Sequence, residues 1–216
     1  MPRHDPSEKT KSEILSTAVT LFKEKGWNNV NIEDVVKKVG VTRGAFYHYF
    51  KSREELIIAA VDKLFIDNNP FTAVAKETGL NALEKLRLVH KLNIMDNTNN
   101  AEMINEALKA VENPIIFKSE FLSQLNTVAP FYEKLIIEGN EDGSLSAQYP
   151  KQAAQVIALL PSIWLSHNAL QVSCQEFVDR LSFFCHMLDN LGIPIFDDEL
   201  KKLSIEYYKK IKRQLK

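Results

Sequence analysis

At 216 residues the chain exceeds the common size of one domain, and 45% hydrophobic with 25% charged residues is ordinary globular usage, not that of a disordered or fibrous chain. The net charge of −1 is unevenly spread: residues 1–53 hold ten Lys or Arg against six Asp or Glu and residues 201–216 hold seven against one, so the body between them is acidic. Two cysteines are too few for a disulfide framework and point to a reducing cytoplasm, while no apolar run has the length to cross a bilayer and the start MPRHDPSEKT has no apolar signal core.

Seven glycines suit an all-helical fold with few tight turns. Ser7 or Thr10 starts a first helix whose Ile14, Leu15, Ala18, Leu21 and Phe22 repeat at helical spacing, and Gly26 stops it. Asn31 caps a second helix, with Asp34 as the capping acid and Ile32, Val35, Val36 and Val39 as its apolar stripe; Gly40 ends it. Thr42 caps a third, Arg43 to Tyr49, which has too little aliphatic surface for a core element but carries Arg43, Tyr47 and His48. Two short helices joined by a tight turn, the second bearing groups that reach phosphates and base edges, form the pattern of a helix-turn-helix. Ser52 caps a fourth helix, with Glu54 and Glu55 in its first turn and Leu56, Ile57, Ala60, Val61, Leu64 and Phe65 on its buried side. It ends near Asn68, Asn69 and Pro70, a natural border, and such a helix is a lever between two halves.

Beyond the border, Leu80 to Ile94 and Ala101 to Val111 read as amphipathic helices separated by the polar DNTNN. Pro114 opens a long helical segment to Ile137, and Gly139 to Gly143 form the turn that closes it. Two strongly apolar helices follow, 151–172, interrupted at Pro161, and 175–191; a last helix runs from Asp197 to about Leu215 with Leu200, Leu203, Tyr207 and Ile211 as its stripe. Cys174 and Cys185 on one helix would stand about 16 Å apart, beyond any disulfide. The sequence holds no HExxH spacing, nucleophile elbow, phosphate-binding glycine loop or paired CxxC, so no metal, cofactor or enzymatic activity is expected. His90, His167 and His186 read as satisfied interior histidines rather than metal ligands.

The stretch GVTRGAFYHYFKSREELI resembles the helix-turn-helix signature of TetR-type transcriptional regulators, with Tyr47 and Phe50 as the aromatic pair, Lys51 as the basic residue after it, and Glu54 and Glu55 as the acidic pair. The resemblance extends from about Lys11 to Ile58, where Phe22, Gly26 and Trp27 match an aromatic, a glycine and a second aromatic. It departs at Val36 and Val39, where the family often has alanine, which implies a slightly wider crossing of the two helices. The resemblance implies an all-α protein with a helix-turn-helix domain at 1–52 and a helical-bundle ligand-binding and dimerisation domain at 53–216. It further implies a homodimer paired through helices near 151–172 and 175–191, a repressor of transcription, and no membrane partner.

On this reading the partner is double-stranded DNA. Thr42, Tyr47, His48 and Lys51 are expected at phosphates, Arg43 at a guanine edge and Tyr47 also at a thymine methyl, with Phe46 and Phe50 packed inward. Two recognition helices related by a two-fold axis would read a palindromic operator. An effector pocket in the acidic body is expected to draw on Phe117, Phe121, Phe131, Tyr132, Trp164, His167 and Asn168, which mix aromatic walls with few polar anchors. The alternative is a helical small-molecule-binding protein or enzyme whose N-terminal similarity is incidental.

Overall fold

The computed structural model describes residues 6–67, 69–99, 114–165 and 172–214; among them the regular structure is helical, with no strand. The chain divides into two compact units. The first comprises the described residues up to 67 together with 114–120; the second comprises 69–99, 121–165 and 172–214. The expected helix over 101–111 and residues 166–171 of the expected 151–172 helix lie outside the described residues.

The first unit is built from α1 (Pro6–Lys25), α2 (Ile32–Val39), α3 (Arg43–Tyr49) and α4 (Arg53–Asp67). Its core takes Ile14, Ala18, Leu21 and Phe22 from α1, Val35 from α2, Phe46 from α3 and Leu56, Ile57 and Ala60 from α4, closed by Trp27, Val30 and Phe50. Helical spacing explains each choice, since these positions fall on one side of their helix. Ile116, from α7 (Pro114–Ser123), joins the same core. The packing units therefore do not follow the 1–52 and 53–216 division expected from roles. Because α4 lays Leu56, Ile57 and Ala60 against α1, the change of unit comes after Asn68.

The second unit contains α5 (Pro70–Val74), α6 (Ala82–Asn99), the end of α7 with its continuation Gln124–Val128, α8 (Ala129–Asp142), α9 (Pro150–Leu159), α10 (Cys174–Asn190) and α11 (Asp198–Gln214). Helix α8 packs on α6 and α9, and α11 on α6 and α10. Two boundaries differ from the sequence reading, and the expected interruption at Pro161 takes a particular form. Helix α6 runs through the polar DNTN as far as Asn99, since nothing there breaks a helix. Gly139 lies buried inside α8, where a Cβ would meet the Leu145 side chain at 2.4 Å; the stop is Gly143, at φ 79°. Pro161 sits in a π-helical turn, Leu160–Trp164, and a second such turn at Gln124–Val128 precedes Pro130.

Polar ties close this unit. Asp142 accepts from the Ala82 amide at 2.8 Å and so caps α6 from a distance of 60 residues in the chain. The Ser144 hydroxyl, first among its causes, holds the Asp142 carboxyl below the usual carboxylate range. Arg87 donates to the carbonyls of Ile195 and Pro194, and Lys91 pairs with Glu199 at 2.9 Å, fixing α6 to the start of α11.

Candidate nucleic-acid interface

The helix-turn-helix is fixed by local chemistry. The Asn31 side chain accepts from the Asp34 amide at 2.8 Å and the Asp34 carboxylate accepts from the Asn31 amide at 3.1 Å, a complete capping box. Lys25 on α1 also donates to Asp34 at 3.1 Å, and Lys38 to Glu24 at 2.9 Å, so α1 and α2 are tied at both ends of the contact. The Asn31 amide bond, and after it the Lys25 ammonium, hold the Asp34 carboxyl below its ordinary range. Gly40 takes φ 83° and donates to the Val36 carbonyl, ending α2 in a left-handed step. Thr42 Oγ1 then accepts from the Ala45 amide at 3.1 Å and starts α3.

On α3 the inward and outward faces separate cleanly. Phe46 and Phe50 are fully buried with ring centroids 5.8 Å apart, whereas Thr42, Arg43, Gly44, Tyr47, His48 and Lys51 are exposed. All five expected DNA contacts are therefore open to solvent. Thr42 has its hydroxyl oxygen committed to the cap, which leaves its O–H to donate outward. Arg43 is not a free cation: its Nη1 lies 3.1 Å from Glu33 Oε1. The Tyr47 side chain first and the Glu33 charge second raise the Arg43 pKa. Sequence reasoning missed Glu33, which lies ten positions from Arg43 on another helix, and Gly44, which leaves the outward face of α3 bare between Arg43 and Tyr47.

Behind this face, Ser52 Oγ accepts from the Glu55 amide at 3.2 Å, and Glu55 accepts from the Lys51 amide at 2.6 Å, starting α4 directly after the exposed lysine. Arg53, on the first turn of α4, donates through Nε to the Val30 carbonyl at 2.8 Å and through Nη2 to the Trp27 carbonyl. Trp27 stacks on Phe22 at 4.5 Å, and Gly26, at φ 82°, lets the chain turn between them. The aromatic, glycine, aromatic sequence thus forms the hinge-free corner from which α2 departs.

The expected effector-lining residues fall in separate places. Phe131 stacks on Phe71 at 5.2 Å, and Tyr132 meets Phe71 edge-on at 4.7 Å; His90, Phe196 and Phe184 extend this aromatic cluster. Trp164 belongs to another group, with the Arg180 guanidinium 5.3 Å from its ring, its carbonyl bonded by Arg180 at 3.1 Å, and Phe183 beside it. Phe117 and Phe121 are exposed on α7, and His167 and Asn168 lie outside the described residues. His90 departs from the expectation of a satisfied interior histidine. It is buried, its Nε2 has no hydrogen-bond partner, and burial pushes its pKa down to about 4. His186, also expected inside, is exposed, because it lies opposite the Phe184 and Leu188 face of α10.

Among the described residues no group of His, Cys, Asp and Glu could hold a metal ion, and no helix is long and apolar enough to cross a membrane. Cys185 is buried, with its thiol pushed up to about 11 chiefly by desolvation, which suits an inert packing role.

Comparison with known proteins agrees with both units. The profile of bacterial regulatory proteins of the tetR family matches residues 14–60, and that of a tetracyclin repressor-like C-terminal domain matches residues 96–186. The transposon Tn10 TetC protein of Escherichia coli is 28% identical over 179 residues, covering 81% of this chain and 86% of the relative. The transcriptional repressor KstR2 of Rhodococcus jostii is 27% identical over 204 residues, covering 89% and 97%. The solved structure of the R. erythropolis transcriptional repressor QsdR shares the fold at a TM-score of 0.65 and 14% identity, covering 87% of this chain and 97% of that one.

Proposed function

This chain belongs to the TetR family of bacterial regulatory proteins, and from that premise we propose that it is a homodimeric cytoplasmic repressor which binds a palindromic operator and is released by a small-molecule effector. The observation that carries the DNA-binding part is the exposure of Thr42, Arg43, Tyr47 and His48 on and beside α3, with the adjacent Lys51, around buried Phe46 and Phe50. A short rigid helix anchored by two rings and bearing cations, hydroxyls and an imidazole fits the major groove of B-form DNA. Thr42, Tyr47, His48 and Lys51 are assigned to phosphates, and Arg43 to a guanine edge. The named relatives that act as repressors favour repression over activation.

A lone helix of this length reads only a few base pairs, so two copies are needed for operator-level affinity. The pairing surface is assigned to α9 with its π-turn and to α10, where Phe183 is 61% exposed beside Trp164. The effector is assigned to the second unit, with Phe131 and Tyr132 as walls. A compound binding one arrangement of the dimer better than another needs a coupling of only about 1–3 kcal/mol to change DNA affinity substantially.

The test is in vitro selection from a random-sequence duplex library with the full chain at low salt, followed by binding titrations on the enriched sequence. Enrichment of an inverted repeat, with affinity lost in Tyr47→Ala and falling steeply with salt, is the expected result. A chain that enriches no duplex sequence is not a regulator of this kind.

A further inference from the structure

Glu33 occupies an unusual place, for it sets a carboxylate on the surface proposed to meet a polyanion. It lies in the first turn of α2, yet the capping there is done by Asn31 and Asp34, and Asp34 in turn is held by Lys25. The partner of Glu33 is instead Arg43, at 3.1 Å across the turn, with both side chains more than half exposed. A solvated pair of this kind adds little to stability, and its negative charge repels phosphates wherever the protein lands on DNA.

What the pair does control is direction. A guanidinium is a planar fork with five N–H donors, and one end of it stands 3.1 Å from the Glu33 carboxylate here. The remaining donors are thereby held in a fixed orientation on the exposed face of α3. A guanine presents two acceptors, O6 and N7, that match such a pre-set fork. When the interface closes and water leaves, the carboxylate keeps Arg43 aimed; over any other base, the desolvated donors are left without acceptors.

Resting on the DNA-reading role proposed above, we infer that Glu33 is a specificity-determining positioning residue, which orients Arg43 for one guanine in each half-site and weakens binding to every duplex that lacks it. Glu33 thus trades general affinity for discrimination. Its removal loosens the fork and takes away a repulsive charge, so the two effects have opposite signs on specific and non-specific binding.

The experiment repeats the random-duplex selection with the natural chain, Glu33→Gln, Glu33→Ala and Arg43→Ala, reading base preference at each position, and adds titrations against an unrelated duplex over a salt series. One guanine position per half-site is expected to vanish in Arg43→Ala. At that same position the preference should fall about tenfold in both Glu33 variants, within the range a bidentate arginine contact commands, while the other positions are unchanged. Both variants should also bind the unrelated duplex more tightly, with a salt slope steeper by up to about one. Base preferences in Glu33→Gln and Glu33→Ala that match the natural chain at every position would overturn the inference while leaving the regulator intact. A natural chain that enriches nothing would overturn the DNA-reading proposal, and the inference with it. Melting curves of the variants confirm that each is folded, and since the two substitutions differ in bulk, a loss of preference caused by packing would appear in only one of them.

Discussion

The rings at 46 and 47, adjacent in sequence, have opposite duties. Phe46 has no exposure and closes the first core, so Phe46→Ala should cost about 3–5 kcal/mol and lower the melting temperature by many degrees. Arg43 is exposed instead, and Arg43→Ala should shift the melting temperature by little while reducing operator affinity at least tenfold; comparable losses of both would make Arg43 a structural residue. Calorimetry and anisotropy titrations on one pair of variants separate the two roles. In the second unit His90 carries a different signature. Its pKa falls from 6.5 to about 4 on folding because burial penalises the imidazolium. The folded state therefore resists protonation, and its stability is intact above pH 6.5 and is lost as pH falls toward 4. At pH 5 the loss attributable to His90 is about 2 kcal/mol, or about 5 °C. The drop between pH 7 and pH 5 should be smaller by that amount in His90→Phe; an unchanged drop would show that the ring titrates normally.

At the scale of elements, the parts of this fold written in local chemistry were the legible ones. Asn31 and Asp34, Gly40, Thr42 and Ser52 announce four helix ends by residue type alone, and each performs that capping or stopping role in the structure. The apolar stripes likewise named Ile14, Ala18, Leu21, Phe22, Val35, Leu56, Ile57 and Ala60 of the first core, while Leu15, Ile32, Val36, Val39 and Leu64 are only partly buried and the side chains of Val61 and Phe65 lie outside the description. Features set by packing were not legible. Gly139 looks like a turn residue, but it lies within α8 because Leu145 fills the space where its side chain would be. The polar run after Ile94 looks like a linker, but it holds no Gly or Pro and remains helical as far as Asn99. The contact of Glu33 with Arg43 depends on how α2 crosses α3, and no spacing within either helix encodes it. On the effector side, the seven aromatic and polar candidates were chosen by composition, which cannot say which helices bring their faces together. The capping box gives the prediction proper to this scale: Asn31→Ala should destabilise the first unit by about 1 kcal/mol, observed as a melting shift of a few degrees. It should leave the base preferences of the selected site unaltered, since no proposed contact changes.

For the whole molecule, the charge distribution and the exposed apolar residues assign different work to different surfaces. A basic N-terminal segment before an acidic body favours a polyanion at the first and disfavours it at the second, while residues 201–216 are basic again. Phe183 and Trp164 mark the surface assigned to a second copy. A dimer formed there predicts a melting temperature that rises with protein concentration. Phe183→Asp should convert the species seen by light scattering from dimer to monomer and reduce operator affinity by orders of magnitude, because each half then reads its site alone. A variant that stays dimeric would move the pairing surface elsewhere. The Arg53 clamp has a longer reach than its size suggests. It grips only main-chain oxygens, at positions 27 and 30, so the grip itself involves no side chain of that corner. A single forked side chain thereby rivets the first turn of α4 to the backbone between α1 and α2, so the shaft cannot part from that corner without leaving two carbonyls unmet.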